Sequence, residues 1–263
     1  MANREWFCFW FFPTHHSPFP NHRSLTVAAL MAFDTSMTTR ISVIIPALNE
    51  AGVIGGALAS AAAEPAVELI VVDGGSRDAT AEIARSYGAT VVTSPSGRAC
   101  QMNTGAQIAT GQSLLFLHAD TRLAPQFASE VRRILDLPGV AAGAFELKID
   151  GIGWGLRFVE RAANLRSRLL QLPYGDQAFF LKAALFRSLG GYPEIPLLED
   201  LELARRLRRQ GRIVTASLPA LTSARRWESL GVLRATLLNQ LFLLAYLAGM
   251  PPRRIANWYY RRS

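Results

Sequence analysis

Lysine is nearly missing from this chain of 263 residues: Lys148 and Lys182 are its only two, so the 28 basic residues are almost all arginine. Cysteine is as sparse. Cys8 and Cys100 cannot build a disulfide framework and neither sits in a Cys-x-x-Cys pair, which excludes a disulfide-stapled fold and fits a reducing compartment. No apolar run reaches the roughly 18 residues that a transmembrane helix requires. The nearest, 235–250, contains Asn239 and Gln240. No Gly-x-Gly-x-x-Gly follows the first strand pattern and no Walker sequence occurs, so the dinucleotide fingerprint and the P-loop are both excluded. Zinc-finger and aromatic RNA-binding motifs are also absent, and nucleic acid is not an expected partner.

What is there suffices for a folded protein. Half of the residues are hydrophobic, which allows a full core and argues against global disorder. The net charge of +8 favours phosphorylated ligands, polyanions or an anionic membrane surface, although an arginine-rich genome accounts for it equally well. The length allows one large domain with appendages. Residues 1–39 stand apart, because the aromatic run Trp6-Phe7-Cys8-Phe9-Trp10-Phe11-Phe12 gives way to Pro13, Pro18 and Pro20 where a signal peptide would need its cleavage site. They are expected to be a poorly ordered extension, with translation starting upstream of Met31 or Met37 and with His15 and His16 solvated.

The folded region reads as strands at Ile41–Pro46, Leu69–Asp73, Ala89–Thr93 and Ser113–Leu117, alternating with helices at about 51–63, from Ser76 as N-cap to Tyr87, and 101–109. This alternation predicts parallel strands with right-handed crossovers. Further on, a helix to Leu135, a strand at 143–149, an Arg-rich helix at 156–170, a strand at 177–182, a helix at 199–209 and a last strand at 213–217 are expected, then one helix over 230–248. Two strands end in a carboxylate. Leu69-Ile70-Val71-Val72 runs into Asp73, and Leu114-Leu115-Phe116-Leu117 runs into His118-Ala119-Asp120. An acid at the C-terminal edge of a parallel strand sits where open α/β sheets bind ligands. It can hold a hard cation against a diphosphate.

The order Pro46-Ala47-Leu48-Asn49-Glu50, Asp73-Gly74-Gly75-Ser76-Arg77-Asp78, His118-Ala119-Asp120 and Glu199-Asp200 resembles glycosyltransferase family 2 from about Ile41 to Ser223. The resemblance implies an α/β GT-A fold, a Rossmann-like mixed sheet flanked by helices. Its domain would span 40–223, with a nucleotide half at about 40–125 and an acceptor half at about 126–223, followed by a helical segment at 224–263. Pro46, Asn49 and Glu50 would lie beside the nucleotide, with Pro46 ending the first strand. Asp73 would accept hydrogen bonds from base or ribose, Gly74 would admit the ligand close to the backbone, and Arg77 would flank the turn. Arg98 and Asn103 would face phosphate, while Ala119 and Asp120 would complete the donor site. Asp120 would hold a divalent cation, Mg²⁺ or Mn²⁺. His118 departs from the family's Asp-x-Asp, and it reads either as a ligand for a softer ion or as a hydrogen-bonding neighbour of the substrate. Asp176 and Tyr192 would line the acceptor site. Asp200 would be the base, with Glu199 its neighbour.

Each position also has a plainer reading: Asp and Gly as turn formers, or acids stabilised at a helix N-terminus. The implied activity is inverting transfer of a sugar from a UDP- or GDP-type nucleoside diphosphate sugar to an acceptor hydroxyl, in the cytoplasm. A nucleotidyltransferase and a non-catalytic scaffold of the same fold are the rivals. Arg225, Arg226 and Trp227 would close on the diphosphate. The C-terminal helix either packs on the domain or lies peripherally in the membrane interface, with Arg253, Arg254, Trp258, Tyr259, Tyr260, Arg261 and Arg262 at the headgroups.

Overall fold

The computed structural model describes residues 39–260. The expected extension at 1–39, except Thr39, lies outside them, as do Arg261 and Arg262. The strands are β1 (Ile41–Ala47), β2 (Val67–Asp73), β3 (Thr90–Thr93), β4 (Ser113–Phe116), β5 (Thr121–Leu123), β6 (Val140–Asp150), β7 (Phe179–Lys182) and β8 (Arg212–Ser223). The helices are α1 (Ile54–Ala62), α2 (Thr80–Ser86), α3 (Arg98–Ile108), α4 (Phe127–Leu135), α5 (Trp154–Leu170), α6 (Ala183–Ser188), α7 (Glu199–Leu207), α8 (Arg225–Leu230), α9 (Val232–Leu247) and α10 (Pro252–Tyr260).

All eight strands form one sheet in the order β3-β2-β1-β4-β7-β6-β8-β5. The first four are parallel, as the alternation predicts. The sheet then turns mixed, with β7 antiparallel to β4 and β6, β8 parallel to β6, and β5 antiparallel to β8. Side chains alternate across it. Val43, Ile45, Leu69 and Val71 face one core with α1 and α4, while Ile44, Ile70 and Val72 face the other with α3, α6 and α7. A third cluster joins Leu147 and Ile149 of β6 to Leu156, Trp227 and Ala235, so the C-terminal helices pack on the sheet's far end.

Several expectations are corrected. β1 continues one residue beyond Pro46 to Ala47. The Ala47 carbonyl accepts from Gly74 and the Ile44 carbonyl from Leu117, so the missing N–H of Pro46 falls on the β4 side, where pairing has already stopped at Ile44. Ser76 is not an N-cap. Its N–H is captured by the Asp73 carboxylate, and the helix begins only at Thr80. The expected helix over 230–248 is α9, which starts two residues later because Gly231, at φ 79°, separates it from the short α8. The strand β5 and helix α6, both short, have no counterpart in the expectations, while α8 and α10 fall within the segment expected to be helical at 224–263. Among the described residues no helix is long and apolar enough to cross a membrane.

Candidate active site

The parallel strands deliver their polar ends to one edge. Asp73 closes β2 and accepts the Ser76 N–H at 3.1–3.2 Å. Asn49, in the left-handed region at φ 55°, locks the neighbouring loop: its N–H donates to Ser76 Oγ, and its side-chain oxygen accepts the Arg77 N–H at 2.8 Å. Behind them lies Gln101 of α3, which is buried and donates to the carbonyls of Ala47 at 2.9 Å and Val72 at 2.8 Å. Two strand ends are thereby fixed to one helix.

At the next strand end the chain turns from His118 through Asp120 into β5. The Asp120 carbonyl accepts the Ser223 N–H, which draws the end of β8 alongside. This places Arg225 over two carboxylates. Its Nη2 lies 2.9 Å from Glu50 Oε2 and 3.2 Å from Asp120 Oδ2.

A cavity of about 390 Å³ opens beside Asp120. Arg98, His118, Asp176, Glu199 and Asp200 line it from the sheet side, and Trp227, Asn239 and Phe242 from the C-terminal helices. Four of its polar atoms are sealed from solvent without a hydrogen-bond partner among the described residues: His118 Nε2, Asp176 Oδ1, Asp200 Oδ1 and Trp227 Nε1. Buried polar groups are normally satisfied, so a cluster of four around one cavity marks a ligand surface. Burial, reinforced by the charge of Glu199, raises the Asp200 carboxyl to about 7, and Arg98 opposes the shift. Burial also raises Asp176. It lowers His118 to about 3, with help from Arg98, so the imidazole is neutral.

Glycine is required at the centre. A Cβ at Gly175 would press into Asp200 Oδ2 and sit 2.7 Å from His118 Nε2. The short 3₁₀ turn that carries it, Gly175–Gln177, is anchored by Gln177, which accepts from Ser167 and donates to the Phe145 carbonyl. Leu198, at φ 67°, immediately precedes Glu199, so the acidic pair enters α7 from a strained residue.

The sequence profile described as "Glycosyl transferase family 2" matches residues 42–185, more than half of the chain. The chain belongs to that family. A PGL/p-HBAD biosynthesis glycosyltransferase from Mycobacterium bovis is 32% identical over 166 residues, 57% of this chain but only 62% of that relative. Among solved structures, glucosyl-3-phosphoglycerate synthase from Mycobacterium tuberculosis, in complex with Mn²⁺, UDP and glucosyl-3-phosphoglycerate, superposes with a TM-score of 0.58 at 23% identity. That match covers 90% of this chain and 88% of the other. The S. aureus TarS 1-349 complex with UDP gives 0.56 at 20%, covering 74% and 64%. The likeness carries the fold, and the GT-A architecture implied by the motifs is the one found.

Against the family motifs, the geometry sorts the expected residues into two groups. Asp120, Asp176, Glu199, Asp200 and Arg98 meet at the cavity. Asp73, Gly74, Asn49, Arg77 and Pro46 share the adjoining strand edge, with Glu50 reaching across to Arg225. Ala119 is buried in the core next to Asp120. Arg98 directs Nη1 at Glu199, 3.5 Å away. The Asn103 amide is engaged by Tyr192, which accepts through its carbonyl and donates its N–H, at 2.9 and 2.8 Å. Tyr192 itself is buried with its hydroxyl raised well above 10 by burial and the Asp200 charge. Gln101 and Gly175 lie within polar stretches of the sequence, 96–103 and 174–177, in which no pattern marks them above their neighbours.

The site's donors suit a hard divalent cation. Glu50 and Asp120 already share one positive group, and such ions bind through one or two carboxylates completed by phosphate oxygens and water. Among the described residues no group of three or more His, Cys, Asp or Glu side chains could hold an ion alone.

Proposed function

We propose that this protein is an inverting glycosyltransferase that moves a sugar from a nucleoside diphosphate sugar to an acceptor hydroxyl. The observation that carries the reading is Asp200: a carboxyl buried in the cavity, raised to about 7, with Oδ1 uncommitted among the described residues. A base whose pKa lies near the working pH is the most effective proton acceptor. The acceptor oxygen attacks the anomeric carbon, its proton passes to Asp200, and the bond to the diphosphate breaks on the opposite face. No covalent intermediate is required.

Asp73 and the Asn49 loop hold the nucleoside at the strand edge. Asp120, aided by Glu50, holds a divalent cation, Mg²⁺ or Mn²⁺, which when bound neutralises charge on the leaving diphosphate. Arg225, released from these carboxylates, follows the phosphates. The Mn²⁺ and UDP in the complexes of structurally similar proteins support this assignment, and a uridine donor is the first choice over a guanosine one. Neutral His118 hydrogen-bonds a substrate hydroxyl rather than ligating metal, because Nε2 faces Gly175 and the Asp200 side of the cavity. A catalytically idle scaffold would gain nothing from burying three acids, since an uncompensated buried carboxyl costs stability. The sparse cysteines fit work in the reducing cytoplasm.

Thermal shifts with UDP, GDP and their sugars, each with Mn²⁺, Mg²⁺ or EDTA, test the donor site. A rise in Tm is expected for a uridine nucleotide with metal, removed by EDTA and by Asp120→Ala. No shift with any nucleotide from folded protein would overturn the reading.

A further inference from the structure

Two helices that wall the cavity carry an apolar outer surface. On α5, Trp154, Phe158, Leu165 and Leu169 are 87%, 65%, 58% and 70% exposed. At 3.6 residues per turn they fall within roughly 60° of one another, a single stripe. On α9, Leu233, Leu237, Leu241, Leu244 and Leu247 are exposed, whereas the buried Ala235 and Phe242 occupy the opposite side and Phe242 reaches the cavity. The stripes begin side by side. A Cβ at Gly155 would lie 3.2 Å from Val232, so the N-terminal ends of the helices abut, with Trp154 and Leu233 flanking the junction. Ile152, fully exposed, precedes it. Soluble monomers rarely leave this much contiguous apolar surface without use.

Charge decides what covers it. α9 and α10 contain no carboxylate, and the only one on α5, Glu160, is turned inward onto Arg157 and the Ile149 N–H. Exposed Arg161 lies along one edge of the α5 stripe, next to Arg168, whose charge is shared with Glu146 of β6, and exposed Arg234 flanks the leucines of α9. A second copy on this face would set arginine against arginine, since a two-fold interface pairs a patch with itself. An anionic lipid surface satisfies both halves of the pattern, with leucines and Trp154 at the acyl boundary and guanidinium groups at phosphate.

We infer that the α5–α9 face docks on an anionic membrane surface, with α9 lying in the interface. The leucine face of α9, rather than the arginine-rich end at 253–262, is then the membrane-contacting surface. Asn239 and Phe242 of the same helix line the cavity, so a docked molecule holds its site within about one helix diameter, ~10 Å, of the lipid. If the transferase reading holds, its acceptor hydroxyl is one anchored in that membrane.

The test is co-sedimentation of the full chain with vesicles of phosphatidylcholine alone or with phosphatidylglycerol, without substrate, so that it reads docking independently of catalysis. Binding to the anionic vesicles is expected, weakened by salt. At least a fivefold loss is expected in Leu237→Gln/Leu241→Gln, with an unchanged circular-dichroism melt. Ile108→Gln, an exposed apolar site on α3, serves as the control and should bind as the parent does. Absent binding by the parent, or equal binding by the double variant, overturns the inference. A dimer in light scattering that the same two substitutions dissociate overturns it in favour of a second copy. Vesicle binding with no transfer activity would leave docking intact and remove only the acceptor.

Discussion

The two halves of this site treat their carboxylates in opposite ways. At the strand edge, Asp73 is hydrogen-bonded by backbone, and Glu50 and Asp120 share the Arg225 guanidinium at the mouth of the cavity. In the cavity, Asp200 is buried and Asp176 half-buried, each with a sealed oxygen that no described residue satisfies, and both are shifted toward the protonated form. The first arrangement fits binding, because compensated acids hold their shape and exchange one cation for another. The second fits proton transfer, because an acid kept out of water and beside other acids is a stronger base once ionised. Arg98, 3.5 Å from Glu199 and 4.0 Å from Asp200, tempers the repulsion.

The largest break in this contrast is Asp200→Asn. Loss of a general base costs about 10²–10⁴ in kcat/KM, while donor binding, read by the metal-dependent thermal shift, should persist. Stability should move the other way. The carboxyl of Asp200 is raised on folding, so its contribution is full below the unfolded value near 4 and is lost as pH climbs through the folded value. The variant escapes that loss, so its Tm advantage over the parent should grow from pH 4 to pH 8. Each tenfold change in proton affinity is worth about 1.4 kcal/mol, which puts the gain on the order of a few kcal/mol. Parent activity should rise over the same interval as the base ionises. A variant that keeps its activity would remove Asp200 from the chemistry.

Next in size is Gly175→Ala. The added methyl meets the Asp200 carboxylate and His118 Nε2, both walled in by packing. Forcing a carbon into a filled interior costs roughly 1–3 kcal/mol, and the displaced base should lower kcat at least tenfold with a smaller change in donor KM. Equal loss in both parameters would mean that the turn serves the fold rather than the base.

What was legible follows from periodicity. Apolar runs leading into Asp73 and Asp120 announce buried parallel strands, and the pattern fixes both their faces and their edge. The acidic pair at the start of α7 was equally legible, since Glu199 and Asp200 open an amphipathic helix. Relations between distant segments left no local trace. Asn103 sits in a polar stretch that suggests phosphate, yet its amide is spent on Tyr192, 89 residues away, and at Gly191 a Cβ would collide with it. Ser76 looked like a cap because nothing in its neighbourhood says that Asp73 takes its N–H first. β5 is three residues long and exists because β8 lies beside it. Short elements and side-chain clamps belong to tertiary structure, and a one-dimensional pattern does not encode them.

The smallest effect is the most discriminating for the strand edge. Arg225 is half exposed, so its ion pairs with Glu50 and Asp120 are screened and contribute about 0–1 kcal/mol to stability. Arg225→Gln should therefore leave the Tm nearly unchanged. It should nevertheless alter cation binding, because the guanidinium occupies the position between two carboxylates that a divalent ion would use. With it gone, Glu50 and Asp120 repel each other, and Mn²⁺ added alone relieves that repulsion. Titration calorimetry should then register several-fold tighter Mn²⁺ binding in the variant than in the parent. Binding of the nucleoside diphosphate with metal present should weaken, since the arginine that follows the phosphates is missing. The two shifts are opposite in sign, which a merely structural arginine would not produce. Tighter Mn²⁺ binding that disappears in Arg225→Gln/Asp120→Ala would tie the cation to Asp120. Weaker Mn²⁺ binding in the single variant would mean that the guanidinium and the metal do not compete, and the assignment of Asp120 as ligand would fall with it.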